Sequence, residues 1–239
     1  MNPILRLALS TSLLLAASTA AWSAPVITTP LRLVAVGDNS GTLFGPHSPD
    51  GVTGVFSDSV SHVVGAVTPQ TAAADQVSAL LPAAGLFKGN GHASIGFSVR
   101  QIDGPIAESD YRVSFSLPQD AAYSLAGYVD AASDGGVALG AFVLTGPDSL
   151  DLETSNGLLN LASGGVLHAG DYLLDVTARM FPKFPVSPGS FMGGHALYDF
   201  TFSLTDLPGH VPEPGSVFLA AIALLALVGV RRGAAQEHA

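Results

Sequence analysis

Histidines and carboxylates are the side chains with which this chain could build a metal site or an acid–base site. Seven histidines are present among 239 residues, and no two of them are four positions apart, as they would be on one face of a metal-binding helix. The sequence contains no HExxH, GxSxG, P-loop or GxGxxG pattern. We therefore expect a noncatalytic protein without a metal or a cofactor. The alternative is a hydrolase whose two acids are distant in sequence and meet only in the fold.

Charge and cysteine content exclude further classes of function. The net charge is −10 and the pI is about 4.8, so we expect no nucleic acid partner. The chain has no cysteine, which excludes disulfides, thiolate metal sites and a cysteine nucleophile. Residues 130–135 read DAASDG but lack the alternating oxygen ligands and final glutamate of a calcium loop. We interpret these carboxylates as solvated, with a structural calcium as the alternative.

Aromatic side chains in one segment are the candidates for ligand binding. Residues 180–192 read MFPKFPVSPGSFM and lie between two strongly alternating segments. Flat rings stack on the C–H faces of sugars, which makes Phe181, Phe184 and Phe191 a candidate loop for a sugar ligand. We favour the alternative, a long loop that folds back on the sheet.

The first 24 residues have the pattern of a secretory signal peptide. Arg6 precedes the apolar run LALSTSLLLAASTAA, and small residues follow before Pro25. Cleavage by signal peptidase after Ala21 or Ser23 leaves small residues at the positions that the peptidase reads. Cleavage after Ala24 is disfavoured because Pro25 would follow the cut. The alternative, an uncleaved anchor, is disfavoured because the run is short for a membrane span.

A second apolar segment lies near the carboxyl end. Residues 215–230 are sixteen residues without a charge, which as a helix would extend about 24 Å, somewhat less than a hydrocarbon core of about 30 Å. Arg231 and Arg232 follow as a stop-transfer signal, with a short cytoplasmic tail at 233–239. We predict one transmembrane helix in the inner membrane. The alternative is a buried core helix.

The segment before that helix reads Val211-Pro212-Glu213-Pro214-Gly215. The two prolines fix φ and provide no N–H group, so an extended, exposed tether is expected. Together with the apolar helix and the arginines, residues 211–232 resemble the PEP-CTERM sorting signal of Gram-negative envelope proteins. The resemblance implies that Pro212, Glu213 and Pro214 are recognised by an exosortase, a membrane protease or transpeptidase. It also implies transient anchoring, followed by release to the cell surface or extracellular matrix.

Residues 25–210 remain as one ectodomain, in which 17 of the 19 acids but only six basic residues occur. Three segments alternate between an apolar set and a mostly polar set of side chains, which is typical of antiparallel strands with one buried face. We predict an all-β fold, an antiparallel β-sandwich of jelly-roll type. Its most regular strands would bury the odd-numbered residues 111–117 and the even-numbered residues 172–180 and 198–204.

Other segments have weaker patterns. Further strands are predicted at 31–36, 60–67, 93–102, 123–129, 137–144 and 165–168. Residues 71–81, TAAADQVSALL, predict the one helix, with Thr71 as its cap and Pro82 after its end. The GNGH sequence at 89–92 predicts a turn.

Residues 111–207 also loosely resemble the β-sandwich ectodomain common among PEP-CTERM proteins, which implies a fold and no chemistry. We expect a noncatalytic structural or adhesive protein that is exported to the cell surface or matrix. The alternatives are a carbohydrate-binding module and, less favoured, a secreted hydrolase.

Overall fold

A computed structural model describes residues 24–38, 43–47, 53–64, 70–98, 105–182 and 191–207. The predicted signal peptide, apart from Ala24, and the predicted transmembrane segment lie outside these residues. Within them, no helix is long and apolar enough to cross a membrane. One turn of 3-10 helix, Pro82–Ala84, interrupts a series of twelve strands. The strands are β1 Val26–Asp38, β2 Leu43–His47, β3 Gly54–Val64, β4 Gln70–Leu81, β5 Leu86–Ser98, β6 Pro105–Leu117, β7 Ala121–Asp134, β8 Gly136–Thr145, β9 Leu150–Thr154, β10 Gly157–Leu167, β11 Gly170–Pro182 and β12 Phe191–Asp206.

The strands form two six-stranded sheets, in which each pair of neighbours is antiparallel. Sheet A has the order β2-β1-β6-β11-β8-β9, and sheet B has the order β10-β7-β12-β5-β4-β3. Strands β5 to β12 divide into β6-β11-β8-β9 and β10-β7-β12-β5, which is the strand order of an eight-stranded jelly roll. The pairs β1–β2 and β3–β4 extend the two sheets at one side. The prediction of an all-β, antiparallel fold is confirmed.

Aromatic rings from the two sheets meet in the core between them. Phe115 of β6 lies 5.1 Å, centroid to centroid, from Phe87 of β5. Phe200 of β12 lies 5.1 Å from Tyr111 of β6 and 5.7 Å from Phe142 of β8. Tilted and edge-on ring pairs at such distances stabilise the fold by more than the burial of their apolar area alone.

The strongest strand predictions are confirmed in the face that each buries, although the strands extend further: β6 begins at Pro105 and β12 at Phe191. Side chains at the inward positions predicted for β6, β11 and β12 are buried, with no more than 3% of their surface exposed. The weaker predictions fall within β1, β3, β5, β7, β8 and β10, except for His168, which follows the end of β10. Residues 65–67 and 99–102 lie outside the described residues. The sequence patterns missed β2 and β9 altogether, and they missed the first eight residues of β10.

The helix predicted at 71–81 is wrong, because this segment is strand β4. Its buried side chains recur every second residue and include Ala72, Ala74, Gln76 and Leu80. Alanine is tolerated in both helices and strands. Pairing with β3 on one side and β5 on the other therefore decides the conformation.

The turn predicted at 89–92 is also wrong, because these residues lie within β5. A Cβ atom on Gly91 would lie 2.3 Å from the ring of Tyr198 and 2.4 Å from the hydroxyl oxygen of Ser109. The hydroxyl groups of Ser109 and Tyr198 lie 3.3 Å apart in the core. Position 91 therefore requires glycine because the ring of Tyr198 occupies the space that a side chain would fill. The glycine does not mark a turn.

Candidate functional site

A groove crosses the outer face of sheet B. One row of paired residues across it is Val77, Asn90 and Asp199, from β4, β5 and β12. The next row contains Lys88 and Thr201. The cavity between these rows has a volume of about 280 Å³. We call this feature the sheet B groove; its lining residues include Val55, Val77, Lys88, Asn90, Asp199 and Thr201.

The sheet B groove combines apolar sides with hydrogen-bonding groups. The side chains of Val55 and Val77 are 75% and 56% exposed. The amide nitrogen of Asn90 donates a hydrogen bond to Asp199 at 3.3 Å, which fixes the carboxylate beside the groove. On the side of β12 away from β5, Tyr128 of β7 pairs with Asp199 and is half-buried. An amide, a carboxylate, an ammonium group and apolar contacts together suit a neutral polar ligand with hydroxyl groups.

A ladder of charged side chains crosses the outer face of sheet A, and we call it the sheet A ladder. Arg179 of β11 donates a hydrogen bond to Glu108 of β6, and its guanidinium lies 3.7 Å from Asp110. One level further along the same strands, Arg112 donates a hydrogen bond to Asp175 at 2.9 Å. Each acid lies opposite or diagonal to an arginine, which is the cross-strand arrangement that stabilises antiparallel pairs.

Asp110 is the unusual member of this ladder, because only 3% of its surface is exposed. Burial, with the nearby carboxylate of Glu108, raises the pKa of Asp110 to about 8, so it holds a proton at pH 7. Thr177 donates a hydrogen bond to the Asp110 carboxyl group. Burial alone would raise the pKa of Glu108, but hydrogen bonds from Asp110 and Arg179 outweigh burial and lower it. The two acids thus share one proton beside an arginine.

Three histidines pair with aspartates at separate places on the surface. Nδ1 of His92 lies 3.2 Å from Asp75, and Nε2 of His195 lies 3.5 Å from Asp130. Nδ1 of His168 lies 3.1 Å from Asp148, which also accepts a hydrogen bond from the hydroxyl of Tyr172 at 2.8 Å. The hydrogen bond to Asp148 raises the pKa of His168.

These pairs do not converge. Among the described residues, no three histidine, aspartate or glutamate side chains are grouped so that they could hold a metal ion.

Residues 210–232 match the family model of the PEP-CTERM protein-sorting motif. The chain carries a PEP-CTERM sorting signal. The matched segment includes the Pro-Glu-Pro sequence, the apolar run and both arginines. No curated protein matches the chain. The PEP-CTERM motif identifies the chain as an exosortase substrate, which is exported and transiently anchored in a membrane before processing.

The residues predicted to carry the sorting function lie outside the described residues; they are Pro212, Glu213, Pro214, Arg231 and Arg232. Their assignment rests on the PEP-CTERM match.

The candidate ligand loop is described only at its margins. Phe181 lies in β11, where it pairs with Val137 of β8 and is half-buried. Phe184 lies outside the described residues. The backbone of Phe191 begins β12, whereas nothing is described of its side chain. Only the ring of Phe181 is therefore described, and the ligand loop stays a prediction.

The sheet B groove was missed because two of its strands were misread. Val77 fell in the predicted helix and Asn90 in the predicted turn. Alternation at every second residue through 70–81 and 86–98 would have placed both on the outer face of one sheet. Part of the sheet A ladder could have been predicted from the sequence. Extending the alternation of β6 towards its start puts Glu108 and Asp110 on the face opposite Tyr111.

Proposed function

We propose that this chain is a noncatalytic structural or adhesive protein of the cell surface or extracellular matrix. Signal peptidase would remove its leader, and exosortase would release it at the PEP-CTERM motif. The observation that carries the proposal is the match of residues 210–232 to that motif, on a chain with a predicted signal peptide. Its final location next to exopolysaccharide is part of the proposal.

The burial of a pair of interacting acids favours the noncatalytic role over the hydrolase. Glu108 and Asp110 share a hydrogen bond and have pKa values shifted in opposite directions, as in catalytic acid pairs. However, Asp110 is only 3% exposed and its hydrogen-bonding groups are engaged by Thr177 and Glu108. A substrate would have no access to its carboxyl group, so we interpret the pair as part of the sheet A ladder.

Replacing Glu213 by alanine is expected to retain the precursor in the inner membrane, because the substitution removes the only charge within the Pro-Glu-Pro sequence. Mass spectrometry of the wild-type protein from its producing cells should find a C-terminus near Pro214. Fractionation should place the variant with the inner membrane and its mass at the full carboxyl end. Glu237→Ala, a change beyond the arginines, is the matched control and should be sorted normally. Normal release of the Glu213 variant would contradict the proposal.

A carbohydrate-binding role is the second candidate, and the sheet B groove is the observation that favours it. Its volume of about 280 Å³ suits about one sugar residue, and it presents Asn90, Asp199 and Lys88 around apolar side chains. The net charge of −10 favours a neutral polysaccharide over an acidic one.

Asn90→Ala is expected to weaken binding to a neutral glycan by about tenfold or more, because it removes one hydrogen bond to the ligand and frees Asp199. A glycan array with the exported protein identifies the ligand, and titration measures the loss. Asn156→Ala, in the exposed turn between β9 and β10, controls for loss of an asparagine. If Phe181→Ala abolishes binding and Asn90→Ala does not, the ligand loop is the site and the groove is not. Absence of binding to any glycan removes this candidate and leaves the sorting proposal untouched.

A further inference from the structure

Strand β10 is an edge strand of sheet B whose own sequence contains none of the usual devices against pairing. It pairs with β7 on one side in an uninterrupted register over residues 157–167. On its other side, no strand of the described residues pairs with it. Its sequence, GLLNLASGGVL, contains neither a charge nor a proline. Edge strands usually carry charges, prolines or bulges that prevent pairing with another chain.

The other three edge strands have such devices. Strand β3 contains Asp58 in its middle, and β9 contains Asp151 and Glu153 in only five residues. Strand β2 is also five residues long and contains Pro46. The contrast within one molecule singles out β10 as the edge that is open to strand addition.

Two exposed apolar side chains of β10 lie on one face of the sheet. Leu158 is 60% exposed and Val166 is 44% exposed. Each lies four residues from Ala162, on opposite sides along the strand and on the same face of the sheet. If two copies of β10 pair antiparallel about Ala162, Leu158 of each copy lies directly opposite Val166 of the other. Both exposed apolar residues then become cross-strand pairs.

Charge decides which edge a second copy could use. The chain has a net charge of −10, so identical surfaces that carry acids repel one another when they meet. A two-fold contact through β3 or β9 would bring acids of the two copies onto one short shared ladder, whereas β10 brings none. The neutral edge is therefore the place where two copies of an acidic chain can approach each other.

We propose that β10 is a self-association site, at which a second copy of this chain pairs antiparallel with Ala162 at the two-fold axis. The two B sheets then form one continuous sheet across the contact. This proposal is independent of ligand binding in the sheet B groove and of the sorting of the chain. In a surface or matrix protein, such a contact joins neighbouring molecules without any other partner.

The absence of cysteine makes the register testable with a single substitution. Residues directly opposite each other on antiparallel strands have Cα atoms about 4.5–5.5 Å apart, which a disulfide can span. In the full chain, Ala162→Cys is expected to give a disulfide-linked homodimer on mild oxidation of the exported protein. Ala83→Cys, at an alanine of the 3-10 helix, is the matched control and should stay largely monomeric.

Two further changes test the contact itself. Adding Leu158→Glu to the Ala162→Cys chain should lower the dimer yield at least tenfold, because it puts an acid opposite Val166. Raising the salt concentration should increase the yield, since it screens repulsion between two acidic copies. An Ala162→Cys yield no higher than that of Ala83→Cys overturns the proposal. A disulfide to a different protein overturns the assignment of the partner.

Discussion

Replacing Gly127 by alanine is expected to destabilise the folded ectodomain by about 3–5 kcal/mol, because it combines backbone strain with overpacking. Gly127 lies in the middle of β7 with φ +137°, a conformation that L-residues with a side chain rarely adopt. A Cβ atom there would lie 2.0 Å from the carbonyl oxygen of Asp199 and 2.8 Å from the Cα of Phe200. Both are backbone atoms of the central strand β12, so no side-chain movement relieves the clash.

The unfolding free energy measured by urea denaturation checks this expectation. Gly157→Ala is the matched control, because Gly157 also has a positive φ, +89°, but no atom lies within 4 Å of the position that its added methyl group would occupy. The control should lose only the cost of strain, about 1–2 kcal/mol. If both variants lose the same amount, β7 and β12 do not approach each other as closely at Gly127 as the structure has them.

Gly127 also illustrates why part of the fold could not be predicted from the sequence. The segment 121–134, which pairs with β10 on one side and β12 on the other, has no strict alternation. Its glycine makes room for the neighbouring backbone, which only the three-dimensional arrangement reveals. By contrast, β6, β11 and β12 bury one face under large side chains such as Tyr111, Tyr172 and Phe200. Their alternation is strong enough to predict each strand and the face that it buries.

The sorting tail could be predicted from the sequence, whereas the sheet B groove could not. Pro212, Glu213 and Pro214 belong to a motif that is defined by the order of residues along the chain, so the motif could be recognised from the sequence alone. The sheet B groove depends on Val77, Asn90 and Asp199, which come from three strands and meet only through pairing. Two of these strands were misread because alanine and glycine fit more than one local conformation. No short motif could have revealed the groove.

Asp110→Asn is expected to stabilise the ectodomain by about 2–4 kcal/mol at pH 8.5 and to have little effect near pH 4. The folded-state pKa of Asp110 is raised to about 8 by burial and by Glu108, above the ordinary aspartate value of 3.8. Between these two values the folded state holds a proton that the unfolded state has released. Stability therefore falls as pH rises from about 4 to about 8, and above pH 8 a charge is buried.

Asparagine keeps the shape of Asp110 without the charge, and its carbonyl oxygen still accepts the hydrogen bond from Thr177. The depressed pKa of Glu108 acts in the other direction: its contribution is present above about pH 4.5 and is lost as pH falls. It therefore adds little slope between pH 5 and 8. Because the pKa of His168 is raised, its contribution to stability is lost as pH rises. The loss is the same in the wild type and in Asp110→Asn, so it cancels from the difference in their unfolding free energies.

Urea denaturation at several pH values between 4 and 9 measures the effect. Asp151→Asn, at an exposed acid of β9, controls for the loss of one negative charge from an acidic chain and should leave the pH slope unchanged. Glu108→Gln should reduce the slope without removing it, because burial is the largest cause of the shift at Asp110. A wild-type slope that persists in Asp110→Asn would show that Asp110 is ionised at neutral pH. The sheet A ladder would then contain two charged acids at this position, held by Arg179.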